Sequence, residues 1–435
     1  MTSCPRWREL DAEQRKEYWA ALALRHCRGL GARSCFRLAQ AYGSAHAAVR
    51  HHREWTTIGL RPEPGITFAG ESWRPPARRE WDAAVQLNPR ILLWTDPLYP
   101  PLLRALPDAP LLLYGEGDFS LLQSPCFAVV GARKAGEQAR AVAAHMARYL
   151  AVGGLAVVSG MAQGVDAAVH GAALREIGRS IGVLGTGIDI SYPASNRGLF
   201  ERMRRDGLLL SEFAPGVRPQ PGNFPIRNRI ISGLSLGVLV VEAAERSGSL
   251  ITARLALEQN REVYAVPGTA LDSRHFGTHN LVRQGAHAVF SAEDILRDLA
   301  PRLREYGVSR QRLRALGEEE RRDAARDVPE PSGTETPFRP AVVPSAAPVP
   351  AAASGRESAA SPGTGAAPGG GEALPGLSGD EARILDALRR RGPLQADDLA
   401  EAVALESAAL NAALINLELL GQVRRLPGAR YEALA

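Results

Sequence analysis

The chain has 435 residues, of which 45% are apolar and 23% are charged, so it is long enough for two or three domains and too apolar for wholesale disorder. It contains no run of about eighteen apolar residues and no apolar signal core at its N-terminus, so we expect a cytoplasmic protein that does not insert into a membrane. Its net charge of +5 is small for this length and does not by itself identify a nucleic-acid-binding protein.

The cysteines are widely spaced and do not form a C-x-x-C pair; they are Cys4, Cys27, Cys35 and Cys126. Few cysteines in a long chain are typical of a reducing compartment. The sequence therefore predicts neither a disulfide framework nor a structural zinc site.

Residues 1–85 show helical patterning and contain the glycine-rich turn RGLGARSCFRLAQAYGS, in which Gly29 and Gly31 precede an apolar helix. One interpretation is a helix-hairpin-helix unit, whose turn presents backbone N–H groups that can hold a DNA phosphate. The other is an ordinary helix connection with glycine at a C-cap. The residues alone leave both interpretations open.

Residues 86–300 contain short apolar runs that alternate with Ala-rich helical stretches. The runs are CFAVVG, LAVVSG, SIGVLGTG, GVLVVEA and REVYAVP. Continuous apolar strands that alternate with helices are typical of a parallel sheet covered on both faces, so we predict a doubly wound α/β domain. Ligands bind such folds at the carboxyl ends of the strands, where this sequence collects glycines and polar residues.

Residues 301–376 begin with a charged, helical segment and continue as a stretch dominated by Ala, Pro, Gly and Ser. That composition buries too little surface to offset its ordering entropy, so we predict a flexible tether. Residues 377–435 predict three short helices and a hairpin with Pro427 and Gly428 at its tip, which is the pattern of a winged-helix domain.

The first predicted strand ends in VGAR at residues 130–133, directly before a helix. Gly131 permits close backbone approach and Arg133 is able to clamp a phosphate, although a Gly-x-Arg turn is more often plain turn chemistry. The glycine spacing is that of an ATP-binding loop, but Glu137 and Gln138 replace the required Lys and Ser/Thr. We therefore expect no ATPase.

The second strand ends in SGMAQGVD at residues 159–166, where two glycines and a following acid predict a polar pocket with exposed N–H donors. His170 follows one turn later, but no nucleophile accompanies it, so we favour a packing histidine. The third strand leads to GTGIDISYPASN at residues 185–196, which lacks the third glycine of a dinucleotide-binding motif, so we do not expect NAD.

The segment GNFPIRNRIIS places Phe224 just before Arg227, Asn228 and Arg229. Two arginines and a nearby ring can bind single-stranded nucleic acid, with guanidinium groups on phosphates and a base on the ring. Alternatively, Phe224 belongs to the core and the arginines pair with acids such as Asp166. The residues alone do not favour either interpretation.

The fourth strand leads to VEAAERSGSLIT, in which Ser247, Gly248 and Ser249 directly precede a helix and form a good anion site. Glu242 at the end of this strand is either a catalytic acid or the ion-pair partner of Arg227 or Arg229. We favour the ion pair.

Together these motifs resemble the DNA-processing protein family called DprA or Smf. The resemblance begins with DPLYP at residues 96–100, includes GAR, SGMAQGVD, GTGIDISYPASN, NFPIRNRIISGLS and VVEAAERSGSLITARLALEQNREVYAVPG, and closes with GTHNLVRQGA. The motifs follow one another in order over residues 96–286, and the pairing of SGSLITA with RNRIISG is highly specific.

Membership of this family implies an extended Rossmann-like domain at 86–300, a SAM-like helical domain at 1–85 and a winged-helix domain at 377–435. It implies a recombination mediator that binds and protects single-stranded DNA and loads the RecA recombinase during natural transformation, usually as a homodimer. The family has no established catalytic reaction, so the resemblance implies no catalytic residues, no cofactor and no metal.

By resemblance, Arg133 holds a phosphate and Phe224 stacks on a base. Gln163 stands where many members have lysine, Ala194 is at another position that is often basic, and His279 replaces a common asparagine. The implied site for single-stranded DNA consists of Gly131, Arg133, Ser159, Gly160, Gln163, Gly164, Asn196, Phe224, Arg227, Asn228, Arg229, Ser247, Gly248 and Ser249.

Two other functions are alternatives. Rossmann-like enzymes that cleave nucleoside monophosphates also have glycine-rich loops, and Glu242 would be their acid, but their P-G-G-x-G-T-x-x-E motif is absent. A duplex-DNA regulator would read bases through the helix SAALNAALINLELLG of the last domain, but this helix is almost uncharged, whereas base readout needs Arg, Lys, Asn or Gln. We predict instead that this surface packs against protein.

Overall fold

The computed structural model describes residues 4–326, 379–403, 405, 407–426 and 430–434. Its helices are α1 (Ala12–Arg25), α2 (Ala32–Tyr42), α3 (Ala45–Arg50), α4 (Pro62–Ala69), α5 (Arg74–Leu87), α6 (Pro101–Arg104), α7 (Glu137–Val152), α8 (Val165–Ala173), α9 (Arg197–Asp206), α10 (Asn223–Leu234), α11 (Ser249–Glu258), α12 (Phe276–Arg283), α13 (Ala292–Asp298), α14 (Ala300–Leu303), α15 (Arg310–Arg326), α16 (Gly379–Arg391), α17 (Ala396–Val403) and α18 (Ser407–Leu419). Its strands are β1 (Arg90–Leu93), β2 (Leu112–Gly117), β3 (Cys126–Val130), β4 (Ala156–Ser159), β5 (Ser180–Leu184), β6 (Leu208–Ser211), β7 (Gly237–Val240), β8 (Glu262–Ala265), β9 (His287–Ala288), β10 (Leu394–Gln395), β11 (Val423–Leu426) and β12 (Arg430–Ala433). In the described ranges no helix has the length and apolar character needed to cross a membrane.

The strands β1 to β9 form one sheet in the order β1-β2-β6-β5-β4-β3-β7-β8-β9. From β6 to β9 in this order all neighbours are parallel, whereas β1 and β2 are antiparallel additions at one edge. The chain proceeds from β3 towards β6 in one direction and from β7 towards β9 in the other, so β3 and β7 define the switch point of a doubly wound sheet. The predicted α/β fold class is confirmed.

The five apolar runs noted in the sequence correspond to β3, β4, β5, β7 and β8. None of these runs corresponds to the antiparallel strands β1 and β2 or to the short strands β6 and β9. Length alone does not set these strands apart, because β4, β7 and β8 also have four residues each and β2 has six. Short apolar runs are ambiguous between a strand and a piece of a buried helix.

The parallel strands are apolar throughout because helices cover both faces of the sheet. In β3, Phe127 and Val129 pack in the core on the α7 face, whereas Ala128 and Val130 pack in the core on the α10 face. Successive strand residues point to opposite faces, so both sets are buried. Burying one large apolar side chain contributes about 1.5–3 kcal/mol, which makes the central strands the rigid base of the site described below.

A buried carboxylate, Glu80 on α5, joins the N-terminal helices to the sheet. Its Oε1 accepts hydrogen bonds from Arg25 at 2.5 Å and from the Tyr114 hydroxyl of β2 at 2.6 Å, and its Oε2 lies 2.7 Å from His26 Nε2. Burial alone would raise the pKa of Glu80, but Arg25 and His26 hold it below its usual value. The ionised carboxylate therefore connects α1 and α5 to β2.

The C-terminal part consists of α16, α17 and α18 and a small sheet in the order β10-β12-β11, with β11 and β12 antiparallel. Three helices followed by a hairpin are the predicted winged-helix arrangement. The predicted hairpin tip, Pro427 and Gly428, lies outside the described residues, as do residues 327–376 of the predicted tether.

The helix α15 packs against the α/β body, although the sequence analysis places it at the start of the linker. Leu313 and Leu316 are buried with core residues of α7 and α13. Glu320 is 3% exposed and accepts the backbone N–H groups of Ala292 at 2.8 Å and Glu293 at 2.9 Å, in the first turn of α13. The strongly charged composition of α15 conceals this contact because its apolar residues form only a narrow stripe.

Replacing Glu80 with alanine is expected to destabilise the N-terminal helices by about 2–4 kcal/mol, because Arg25, which is only partly exposed, and the buried Tyr114 hydroxyl would both lose their acceptor. All six tryptophans lie between residues 7 and 94, so urea unfolding followed by tryptophan fluorescence reports on this region. The control is Glu13→Ala, which removes an exposed pair with Lys16 and should change the free energy of unfolding by less than about 0.5 kcal/mol. Equal effects of the two substitutions would contradict the role of Glu80.

Candidate nucleic-acid interface

The carboxyl ends of β3, β4, β5 and β7 surround a groove at the switch point of the sheet, which we call the switch-point groove. It is a cavity of about 630 Å³ that adjoins a smaller one of about 90 Å³, and Arg133 and Phe224 line both. Among the described residues, Arg133, Arg227 and Arg246 line the larger cavity together with one acid, Asp166. The lining therefore carries an excess of positive charge.

The loop after β3 lies close to α8 and β7. A Cβ atom at Gly131 would be 2.6 Å from Val165 Cγ2, so this approach requires glycine. The N–H of Ala132 donates to the carbonyl oxygen of Glu242 at 2.8 Å, and the N–H of Val165 donates to the carbonyl oxygen of Ala132 at 3.2 Å. These bonds place Arg133 at the groove, where it is exposed and makes no hydrogen bond or ion pair to any described residue.

Phe224, in the first turn of α10, supplies the aromatic ring of the groove. The guanidinium carbon of Arg133 is 4.9 Å from the ring centroid and that of Arg227 is 5.9 Å from it, both within the range of a cation–π contact. The Tyr192 ring lies 5.5 Å away at an interplanar angle of 37°. A Cβ atom at Gly185 would be 2.8 Å from Phe224 Cδ1. The ring is therefore fixed in orientation, and it is partly exposed to the groove.

Arg227 is buried behind this ring, with 3% of the residue exposed. Its Nη1 donates to the carbonyl oxygen of Val183 at 3.0 Å. Burial lowers the pKa of Arg227 to about 10. The negative charge of Asp166 acts in the opposite direction, and the positive charge of Arg133 lowers the pKa a little further. A Cβ atom at Gly160 would be 1.7 Å from Arg227 Nη1, so the guanidinium occupies the space that glycine leaves free.

Asp166, in the first turn of α8, closes the loop after β4. Its Oδ2 accepts the N–H groups of Gly160 at 3.1 Å and Ala162 at 3.2 Å. Burial raises the pKa of Asp166 above its ordinary value, although Arg227 and the backbone bonds act in the opposite direction. The carboxylate thus both shapes the loop and faces the buried arginine.

His170 is a packing histidine, as the sequence analysis favours. Its Nε2 accepts the N–H of Met161 at 3.3 Å, so its Nδ1–H donates to Ser180 Oγ at 2.8 Å. The Ser180 hydroxyl in turn donates to the carbonyl oxygen of Val157 at 2.6 Å. Burial and the charge of Arg227 lower the pKa of His170 to about 3, so the ring is neutral.

Most of the predicted site residues do meet at the groove. Those that line the larger cavity are Gly131, Arg133, Phe224, Arg227, Asn228, Ser247, Gly248 and Ser249. Those that line the smaller cavity include Gly160 and Gln163. Because α11 begins at Ser249, the positive end of its dipole lies at the groove beside the serine hydroxyls. The N–H groups of Ser249, Leu250 and Ile251 themselves donate to Ser247 and Gly248.

Three predicted site residues support the groove instead of lining it. Ser159 Oγ donates to a carbonyl oxygen of β3 at 2.7 Å, and Asn196 Nδ2 donates to two carbonyl oxygens of the loop after β4, each at 3.0 Å. Gly164 has a φ of +75°, and a Cβ atom there would be 2.4 Å from the carbonyl oxygen of Ala132. These residues fix the backbone on which the groove is built.

Arg229 is not part of the groove, which corrects the prediction. Arg227, Asn228 and Ile231 line the groove at helical spacings of three, four and seven from Phe224, whereas Arg229 is five residues away and lies on another face. Its Nη2 contacts the two carboxylate oxygens of Glu212 at 2.7 and 2.8 Å, and its Nε is 3.6 Å from Asp108. Arg229 is therefore a buried ion-pair residue.

The expected ion pair of Glu242 with Arg227 or Arg229 is also wrong. Glu242 is 2% exposed, and its Oε1 has no hydrogen-bond partner among the described residues. The positive charge that interacts with Glu242 is Arg274, whose Nη2 is itself 2.6 Å from Asp272. The two arginines of α10 face β5 and β6 and do not reach the end of β7.

Comparison with known proteins identifies the family. A family model described as DNA recombination-mediator protein A matches residues 90–300, and one described as DprA winged helix domain matches residues 368–429. DNA processing protein DprA of Streptococcus pneumoniae is 45% identical over 201 residues, which are 46% of this chain and 71% of that protein. The chain belongs to the DprA/Smf family.

A further relative and a solved structure agree with this assignment. DNA processing protein DprA of Bacillus subtilis is 44% identical over 209 residues, which are 48% of this chain and 70% of that protein. The X-ray structure of DNA processing protein A from Streptococcus pneumoniae is similar to this structure with a TM-score of 0.56 and 34% identity, over 65% of this chain and 97% of that chain. The family model over residues 90–300 describes this family as one of DNA recombination mediators.

The residues that line the larger cavity of this DprA/Smf protein but are absent from the predicted site include Tyr192, Arg246 and Asn416. Arg246 directly precedes Ser247, so a cation next to a predicted anion site was an available signal. Tyr192 belongs to the quoted GTGIDISYPASN motif, and an aromatic residue there was equally visible. Asn416 comes from α18 of the winged-helix domain, and no local pattern indicates that it reaches the groove.

Replacing Gly160 with alanine should displace Arg227 and destabilise the α/β body by about 1–3 kcal/mol, because the new methyl group overlaps the guanidinium. Gly171→Ala is the matched control. A Cβ atom at Gly171, inside α8, meets no atom within 4 Å, so this change should be neutral or stabilising by up to about 1 kcal/mol. Urea unfolding followed by circular dichroism measures both, and similar stabilities would contradict the placement of Arg227.

The neutral state of His170 predicts a pH dependence of stability. The unfolded chain binds a proton below its pKa of 6.5, whereas the folded chain does so only near about 3. Stability should therefore fall as the pH decreases through this window, by about 2 kcal/mol between pH 6.5 and about pH 5. Urea unfolding of the wild type and of His170→Asn measures this, and the substitution should remove that part of the slope. Identical slopes would show that His170 does not carry the effect.

Proposed function

We propose that this protein is a recombination mediator that binds single-stranded DNA in the switch-point groove, protects it and passes it to the RecA recombinase. The observation that supports this most strongly is the placement of a partly exposed ring, Phe224, next to the exposed guanidinium of Arg133 and the N-terminus of α11. A ring for a base beside donors for a phosphate is the combination that single-strand binding requires.

The phosphate contacts come from side chains and backbone together. Arg133 is exposed and makes no hydrogen bond or ion pair to a described residue, so its N–H groups are available for a bidentate contact with phosphate oxygens. Across the groove, the positive end of the α11 dipole and the hydroxyls of Ser247 and Ser249 favour an anion, and Arg246 lies in the loop before this helix. The two walls can therefore hold successive phosphates.

The base contact explains a preference for single strands. Phe224 and Tyr192 present ring faces in the groove, and a base must leave its duplex stack to lie against either of them. Base–aromatic stacking contributes roughly 1–3 kcal/mol per base and tolerates any base. We therefore expect weak sequence preference and weak binding of an intact duplex.

Arg227 and Asp166 act on the groove electrostatically rather than as primary contacts. Arg227 is buried, so its charge is screened less by salt than that of Arg133. Asp166 offsets part of this charge, which allows an arginine to be buried behind the ring. The remaining positive field favours the DNA backbone in the groove.

The proposal includes a homodimer in the cytoplasm, in line with the family resemblance, and no catalytic step, cofactor or metal. Glu242, the candidate acid of the nucleotide-hydrolysing alternative, is 2% exposed and does not line the groove. A general acid must reach the bond that it protonates. Its position therefore favours binding over hydrolysis.

Arg133→Ala should weaken binding of a fluorescein-labelled dT oligonucleotide about tenfold, because one charge-assisted phosphate contact is lost. The slope of log affinity against log salt concentration should decrease by about 0.7. Fluorescence anisotropy at several salt concentrations measures both quantities. The control is Arg314→Ala, which removes an exposed arginine of α15 and should leave both unchanged.

Two results of this titration would count against the proposal. Unchanged affinity in a folded Arg133→Ala variant would remove that residue from the site. Equal binding of single strand and matched duplex, or no binding of either, would favour the alternative function of nucleotide hydrolysis. An assay of hydrolysis with a panel of nucleotides, with Glu242→Ala as the control, then tests that alternative.

A further inference from the structure

The winged-helix domain docks on the body of the protein through carboxylates. Glu418 at the end of α18 makes a bidentate pair with Arg254 of α11, at 2.6 and 3.0 Å. Arg61 before α4 contacts Asp398 at 2.9 Å and Glu401 at 3.0 Å, both on α17. The domain therefore bridges the N-terminal helices and the α/β body.

The docked domain also forms part of the wall of the switch-point groove. Asn416 of α18 lines the groove opposite the loop after β3. Ala412, one turn earlier, lies so close to Gly222 that a Cβ atom there would be 2.3 Å from Ala412 Cβ. Because Gly222 directly precedes α10, α18 borders the groove on the side of Phe224.

The winged-helix domain carries a small excess of negative charge, the same sign as the backbone of DNA. Residues 379–435 contain nine acidic and seven basic residues, whereas the whole chain has a net charge of +5. Glu418 is the one charged residue of α18. The domain thus offers carboxylates to arginines that would otherwise attract phosphates.

The interface is incompletely packed and polar. A partly open cavity of about 160 Å³ lies between α18 and the α10–α11 face, and its lining includes Arg254, Gln259 and Glu418. Contacts that rest on partly exposed ion pairs are weak and are screened by salt. Such an interface suits a domain that detaches.

We propose that the winged-helix domain is a displaceable lid, and that a DNA strand in the switch-point groove competes with it for Arg254 and the α10–α11 face. In the docked state α18 covers this face. When the lid leaves, Arg254 is released and extends the phosphate track beyond the groove. This inference rests on the proposed binding of single-stranded DNA.

The test uses Glu418→Arg in the full chain, since this change places two positive charges together and detaches the lid. We expect a larger radius of gyration in small-angle X-ray scattering. If about a tenth of the wild-type molecules have the lid undocked, its complete release should raise the apparent affinity for a dT oligonucleotide about tenfold at low salt. The test compares oligonucleotides of about 6 and about 20 nucleotides, a short and a long length relative to the site sizes of single-strand grooves. The increase in affinity over the wild type should be larger for the longer oligonucleotide.

The charge-matched control is Asp386→Arg. Asp386 is exposed on α16 and pairs with Arg390, so its reversal adds the same charge without touching the interface. It should leave the radius of gyration unchanged and raise the affinity much less than Glu418→Arg does. An equal gain in both variants would show that added charge, and not lid release, is responsible.

A steric pair gives an independent test. Gly222→Ala should detach the lid through the overlap with Ala412, and the backbone at Gly222 has a φ of −65°, which alanine adopts without strain. Adding Ala412→Gly should restore docking and wild-type affinity. This rescue separates detachment from damage to the neighbouring groove.

The possible outcomes are distinct. If an undocked variant binds the longer oligonucleotide no better than the wild type, or more weakly, the proposed role of the winged-helix domain as a lid is contradicted. The proposal of single-strand binding is not affected by this result. An unchanged radius of gyration in both Glu418→Arg and Gly222→Ala also overturns it. No binding by the wild type or any variant overturns the proposed function itself.

Discussion

The buried guanidinium of Arg227 determines the arrangement of the switch-point groove. A charge at this depth needs a hydrogen-bond acceptor, an opposing charge and space, and the Val183 carbonyl oxygen, Asp166 and Gly160 provide them. Asp166 in turn ties the loop after β4 to α8. The ring of Phe224 then lies over the arginine, so one buried cation positions two loops and the aromatic surface.

This arrangement depends on the rigid sheet beneath it. The loops after β3, β4, β5 and β7 arise from strands that are buried on both faces, so their starting points do not move relative to one another. Glycines then allow the loops to approach within contact distance. The groove is consequently preformed, and binding does not have to supply the free energy of ordering its walls.

The sequence alone predicted the doubly wound fold and most of the groove, because continuous apolar strands and their glycine-rich ends are local patterns. It did not predict the ion pairs. Arg229 pairs with Glu212 and Asp108, and Glu242 faces Arg274. These partners lie on elements that are distant in sequence, and their pairing depends on which helix face each arginine occupies. The contribution of Asn416 likewise required knowledge of how two domains dock.

The packing of α15 has a consequence for the autonomy of the α/β body. The match to the recombination-mediator family ends at residue 300, yet Leu313, Leu316 and Glu320 complete the core and the first turn of α13. A shortened protein that ended at residue 300 would expose apolar surface and leave two backbone N–H groups without their acceptor. The smallest fragment that folds independently therefore extends to the end of α15, well into the segment that composition alone would assign to a linker.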